Sequence, residues 1–172
     1  MMRNAKYFLG IITFLSVVVM RAAGIGDYYL IDNVSTPSGL DSQVGGLDFM
    51  PDGRLVACFH RGEVYTYNPK KNEWKLFADG LQEPLGISAV TDREVVIMQR
   101  SELTKIIDVN GNGEGDHYQT VFDDFGMTGN YHEFAFGPAK DSGGNYYIGM
   151  NLASNGAMST VAVAPSRISS AM

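Results

Sequence analysis

"GLDFMPDGRLVACFHRGEVYTYN", residues Gly46 to Asn68, lies over "GISAVTDREVVIMQRSELTKII", residues Gly86 to Ile107, with one gap. Gly46 falls on Gly86, Asp52 on Asp92, the pair His60-Arg61 on Gln99-Arg100, and Glu63 on Glu102. The two copies start 40 residues apart. A looser third copy is "EFAFGPAKDSGGNYYIGMN", Glu133 to Asn151, in which Phe136-Gly137-Pro138 and Asp141 to Gly144 correspond to Phe49-Met50-Pro51-Asp52-Gly53. A period of about 40–50 residues with several strands per unit is the mark of propeller blades. Each small sheet has two apolar faces and buries them only against neighbouring sheets.

The rest of the chain carries the same punctuation. Short alternating or apolar runs recur at Arg54 to Phe59, Glu63 to Tyr67, Trp74 to Phe77, Glu94 to Met98, Leu103 to Ile107, Glu133 to Phe136 and Tyr146 to Met150. Gly, Pro, Asp and Asn separate them, which reads as strands and turns. No stretch after Gly24 has a convincing helical period. The fold class is therefore all-β. Four-stranded antiparallel sheets are expected from about Gly45 to Phe77 and from about Gly86 to Phe122, packed face to face.

The 172 residues suffice for one domain, but closed propellers have about four to eight blades. Two full copies and a partial third make the front part of a longer propeller, over residues 25–152. Residues 153–172 drift into Ser, Ala and Met and read as an irregular tail. A complete small β-domain with a disordered tail is the alternative.

The first 24 residues read as an export signal. Arg3 and Lys6 precede the 14-residue apolar run Tyr7 to Met20, and Arg21-Ala22-Ala23-Gly24 offers small residues for cleavage. The run is shorter than the roughly 20 residues of a spanning helix. An uncleaved N-terminal anchor is the other reading, and the only membrane contact expected. Either way the remainder is exported, to the periplasm or beyond the cell.

Composition excludes several functions. A net charge of −6 leaves no basic surplus for nucleic acid. Cys58 is the only cysteine, so no intrachain disulfide can form, and Cys/His zinc spacing is absent. Its apolar neighbours Val56, Ala57 and Phe59 suggest an inert buried thiol.

"DVNGNGEGD", Asp108 to Asp116, is a loop by composition. Asp108, Asn110, Asn112 and Asp116 fit the early positions of a calcium loop, with Gly113 at the bend and Glu114 supplying a backbone carbonyl. Hard oxygen donors at this spacing suit Ca²⁺. The twelfth position is Gln119, where strong sites carry a bidentate Glu, so modest affinity is expected. A plain Gly/Asn hairpin turn is the competing reading.

The pieces "EPLGI", "QRSELT", the Asp/Asn/Gly loop and "GNYHEFAFGP" together carry a resemblance over roughly Gly45 to Leu152. The chain resembles the six-bladed β-propellers of the glucose/sorbosone dehydrogenase class, the soluble quinoprotein sugar dehydrogenases and their relatives. It looks most like the exported dehydrogenase-like propellers of planctomycete-type bacteria. The resemblance implies two to three N-terminal blades of a six-bladed ring, with His132 in the position of the general base. That base takes a sugar hydroxyl proton while hydride passes to pyrroloquinoline quinone, and an imidazole is well tuned for the task near pH 7. The implied substrate is a sugar or polyol. Glu133 departs from the family pattern, in which small residues follow that His. The family's cofactor-gripping Arg and Lys residues and its Ca²⁺ ligands belong to later blades.

Arg61 and Arg100 close equivalent strands. Facing a central channel, they would offer positive charge to an anionic cofactor. The plainer reading pairs them with Glu63 and Glu102. Two functions from different classes follow: a quinoprotein-type sugar or alcohol dehydrogenase, and a secreted propeller module that binds carbohydrate or protein without turnover, stabilised by calcium.

Overall fold

The computed structural model describes residues 23–125 and 130–150. The expected export segment and tail lie outside the described residues, apart from Ala23 and Gly24. The chain divides into two compact units, Met1–Ser35 and Thr36–Met172. In the first, a single 3-10 turn spans Ile25–Asp27, and the Gly24 N–H donates to the Asp27 carboxylate at 2.7 Å. Among the described residues no helix is long and apolar enough to cross a membrane.

The second unit is all-β. Strands β1 (Val44–Phe49), β2 (Leu55–Phe59), β3 (Val64–Asn68) and β4 (Glu73–Ala78) form one antiparallel sheet in chain order. A second antiparallel sheet repeats the plan with β5 (Ile87–Thr91), β6 (Glu94–Met98), β7 (Leu103–Ile107) and β8 (His117–Phe122). A third pairs β9 (Ala135–Lys140) with β10 (Tyr146–Met150). The two four-stranded sheets occupy the expected ranges.

The sheets stack through alternate residues. On β6, Val95 and Ile97 face the first sheet and join Val56, Cys58 and Val64 in one core cluster. Their neighbours Val96 and Met98 face the other way, with Leu103, towards Ala135, Tyr146 and Ile148 of the third sheet. Every one of the four β6 residues is fully buried, each contributing roughly 1.5–3 kcal/mol by leaving water. A strand buried on both faces explains why "EVVIM" lacks the polar alternation of a half-exposed strand.

The register corrects one feature of the repeat. Gly46 pairs with Cys58, while the Met98 N–H donates to the Gly86 carbonyl, so Cys58 and Met98 are counterparts. In the turns that follow, Phe59 N–H donates to Glu63 O and Gln99 N–H to Glu102 O. Phe59 therefore corresponds to Gln99 and His60 to Arg100. The extra residue sits in the β2–β3 turn, not before β2 as the sequence match of His60-Arg61 with Gln99-Arg100 required. The physical reason is the strand period of two: a one-residue slip would turn Val96 and Met98 to the wrong face. The matches at Gly46, Asp52 and Glu63 stand.

Candidate functional site

Chain direction sorts the connections to two ends of the sheets. The β2–β3 turn, the β6–β7 turn and the inter-sheet connections meet at one end; the β1–β2 and β5–β6 turns and the Asp108 loop meet at the other. His132 and the candidate calcium loop are thus on opposite ends.

At the loop end, the Asp108 carboxylate is buried and accepts three backbone N–H groups. Gly111 and Asn112 donate to Oδ1 at 2.6 and 3.1 Å, and Gly113 to Oδ2 at 2.8 Å. Gly113 has the positive φ of 84° that the bend requires. Asn110 Oδ1 accepts from Asn112 N–H at 2.9 Å, and Asn112 Oδ1 from Glu114 N–H at 2.8 Å. Asp116 accepts from the Val109 N–H at 2.9 Å and from the Asn110 side-chain amide. Lys75 of β4 closes the outside: its Nζ donates to the Asn112 carbonyl at 2.5 Å and lies 3.5 Å from the Glu114 carboxylate. The Gly115 N–H ties the loop to Phe77 O at 2.6 Å. The candidate ligands are brought into one loop, but their oxygens are directed at its own amides. Among the described residues no three of His, Cys, Asp and Glu gather as a metal group.

At the other end Arg100 is the organising residue. Its guanidinium Nη1 lies 2.7 Å from Glu83 Oε2, Nη2 donates to the Asn130 carbonyl at 2.5 Å, and its plane lies 5.6 Å from the Phe134 ring centroid. Its side chain is only 14% exposed. Glu83 also stands 4.0 Å from His60 Nε2, and the His60 and Phe134 rings are 6.3 Å apart. Glu83 adopts φ 46°, a left-handed conformation that costs a non-glycine residue on the order of 1 kcal/mol.

Asn130 in turn shapes the segment that carries His132. Its side-chain oxygen accepts from the His132 N–H at 3.0 Å and its carbonyl from the Glu133 N–H at 3.0 Å. Tyr131 and His132 are exposed, with ring centroids 3.8 Å apart. Glu133 is buried. The neighbouring carboxylate therefore turns inward while the imidazole turns out, and it does not crowd the ring.

The two arginines have different surroundings. Arg61 is a surface residue, 70% exposed, paired with Asp41 at 3.1 Å. Neither takes the expected glutamate partner. Glu102 accepts instead from Gln99 Nε2 at 3.1 Å, from the Thr104 hydroxyl and from Thr120 Oγ1 at 3.0 Å. Glu63 keeps one buried carboxylate oxygen without a hydrogen-bond partner. Burial pushes the Cys58 thiol up to about 11, so it is no nucleophile. Glu83, Phe134 and Lys75 shape the two ends, and although all three lie in stretches the sequence marks, none was singled out as a site residue; a Glu at positive φ is invisible in a string of letters.

No family model and no curated protein matches the sequence. Among solved structures, the extracellular domain of a hybrid two-component system from B. thetaiotaomicron aligns with a TM-score of 0.47 and 14% identity, over 71% of this chain. The aligned part is 17% of that chain's length.

Proposed function

We propose that the chain is the front part of an exported β-propeller of the glucose/sorbosone dehydrogenase kind, which binds a sugar or polyol at the end carrying Tyr131 and His132. The observation that carries this is the exposed Tyr131–His132 ring pair on a backbone held by Arg100. An aromatic face covers the apolar side of a sugar ring, and an imidazole both donates to and accepts from hydroxyls. Three antiparallel sheets packed in succession, the first two related by a 40-residue repeat, support the propeller part of the proposal.

The implied quinone does not fit the residues described. It is anionic, and the two cations assigned to it are engaged elsewhere, Arg100 by Glu83 and Asn130 and Arg61 by Asp41. No hydride step is therefore derived, and binding without turnover is the reading these two arginines favour. Calcium at Asp108, Asn110, Asn112, Glu114 and Asp116 belongs to the same proposal as a stabilising ion, supported by the spacing and the bend at Gly113.

The test is calorimetry with a panel of aldoses and polyols, repeated on Tyr131→Ala and His132→Ala. Binding lost in both variants is expected. Unchanged binding in both, or none in the parent, overturns the site. Dye reduction after addition of pyrroloquinoline quinone and Ca²⁺ would restore the dehydrogenase reading.

A further inference from the structure

The β1–β2 and β3–β4 turns leave the first sheet at the same end as the Asp108 loop. Between them lies a surface cavity of about 210 Å³, lined by Asp52, Gly53, Arg54, Asn68, Pro69 and Lys70. It is larger than the about 150 Å³ that holds a benzene ring and smaller than the about 300–1,000 Å³ of pockets for drug-sized ligands. A ligand seated there is small.

One wall is fixed from two sheets. Arg54 Nε donates to Asp52 Oδ2 at 2.7 Å and Nη2 to the Asp92 carbonyl at 2.6 Å, while the Asp52 N–H donates to Asp92 Oδ1 at 2.7 Å. The other wall is a turn closed by Asn68, whose Oδ1 accepts the Lys70 and Lys71 N–H groups at 3.0 and 3.3 Å. Asp52 Oδ1 is taken by the Arg54 N–H at 3.0 Å. The side-chain acceptors of the lining are therefore occupied, and the groups left over are donors. Arg54 Nη1, the Asn68 side-chain NH₂ and the Lys70 ammonium have no hydrogen-bond or ion-pair partner among the described residues. Unlike Arg61 and Arg100, Lys70 keeps a charge that no carboxylate pairs. Burial alone would raise the Asp52 carboxyl, but hydrogen bonds from Arg54 and the charges of Arg54 and Lys70 hold it below the usual carboxylate value.

The repeat shows that the turn itself does not demand these donors. Asp52 recurs as Asp92, whereas the place of Arg54 is held in the second sheet by Glu94, sealed by Lys105 at 3.0 Å.

We propose that this cavity binds a small oxyanion, the carboxylate or phosphate group of a compact ligand. Lys70 supplies the charge, and Arg54 Nη1 and the Asn68 amide supply directed hydrogen bonds, which are about twice as strong to an ionised acceptor as to a neutral one. The site is at the opposite end of the sheets from His132 and does not depend on the sugar-binding reading.

Calorimetry of the full chain with inorganic phosphate and, separately, with glycerate tests it, and glycerol is the uncharged control. Saturable binding of at least one anion is expected, and the anion that binds identifies the head group. Lys70→Met should weaken it about tenfold or more, the worth of a hydrogen bond to a charged group. Lys71→Met removes a neighbouring charge outside the lining and should leave binding intact. Circular dichroism checks that both surface variants fold. No binding of either anion, equal binding of glycerol, no loss in Lys70→Met, or the same loss in both variants overturns the site.

Discussion

Gly46 and Gly86 meet backbone to backbone: a Cβ on Gly46 would lie 2.7 Å from the Gly86 Cα. Residues matched by the repeat thus touch in space. Gly86 approaches the third sheet more closely still, since a Cβ there would lie 1.6 Å from the Gly137 carbonyl oxygen. The inner strands of successive sheets come together at these glycines, and no side chain fits between them.

Gly86→Ala should therefore destabilise by about 1–3 kcal/mol or more through overpacking. Gly149→Ala is the control, because among the described residues no atom lies within 4 Å of its Cβ position. Urea denaturation of both variants checks this. Equal midpoints would mean that the sheets do not approach as described.

Arg100→Ala should loosen the segment carrying His132, since the Asn130 carbonyl loses a donor and Glu83 loses its partner. A cost of about 1–3 kcal/mol is expected for hydrogen bonds to a charged group. Hydrogen exchange at the Glu133 amide, which donates to Asn130 O, should accelerate. Unchanged exchange would show that Arg100 does not position the segment.

How much of this was legible follows from particular residues. "EVVIM" and "VYTYN" announce strands, and β2, β3, β4, β6, β7 and β10 fall on the apolar runs. Strand β1 contains Gly45-Gly46, which weaken its strand propensity, and its glycines lie where the backbone of the next sheet approaches closely. Strand β8 is exposed over His117 to Thr120 and shows no apolar alternation. The run at Glu133 to Phe136 marks only the start of β9. The repeat was visible but slipped by one residue, because the extra residue hides in a turn. At the candidate site the Asp108 loop was marked by type and spacing, and His132 by the family resemblance alone. Glu83 was not, because neither its ion pairs nor its positive φ follows from residue type.

Acid should weaken the β9–β10 turn. The Asp141 carboxylate accepts from the Asn145 side-chain amide, the Asn145 N–H and the Tyr147 hydroxyl, which together lower its pKa to about 2 from 3.8. A depressed carboxylate contributes stability above its unfolded value that is lost as pH falls from 3.8 through about 2. Thermal melts over this window should show a steeper loss for the parent than for Asp141→Ala. Parallel curves would contradict the assignment.

Calcium should bind the Asp108 loop weakly, with a Kd on the order of 10⁻⁴–10⁻³ M. Lys75→Met should tighten it, because the ammonium at Asn112 O and Glu114 opposes a second cation. Calorimetry giving no heat in either protein would leave the loop as a turn closed by its own amides.

The central claim, a sugar or polyol held at the Tyr131–His132 end, is tested most directly by ¹H–¹³C NMR of selectively labelled histidine during titration with the best-bound sugar. His132 ring resonances should shift and saturate with the calorimetric Kd, and His117, at the opposite end of the sheets, should stay still. Saturable binding that moves His117 and leaves His132 unchanged would contradict the claim.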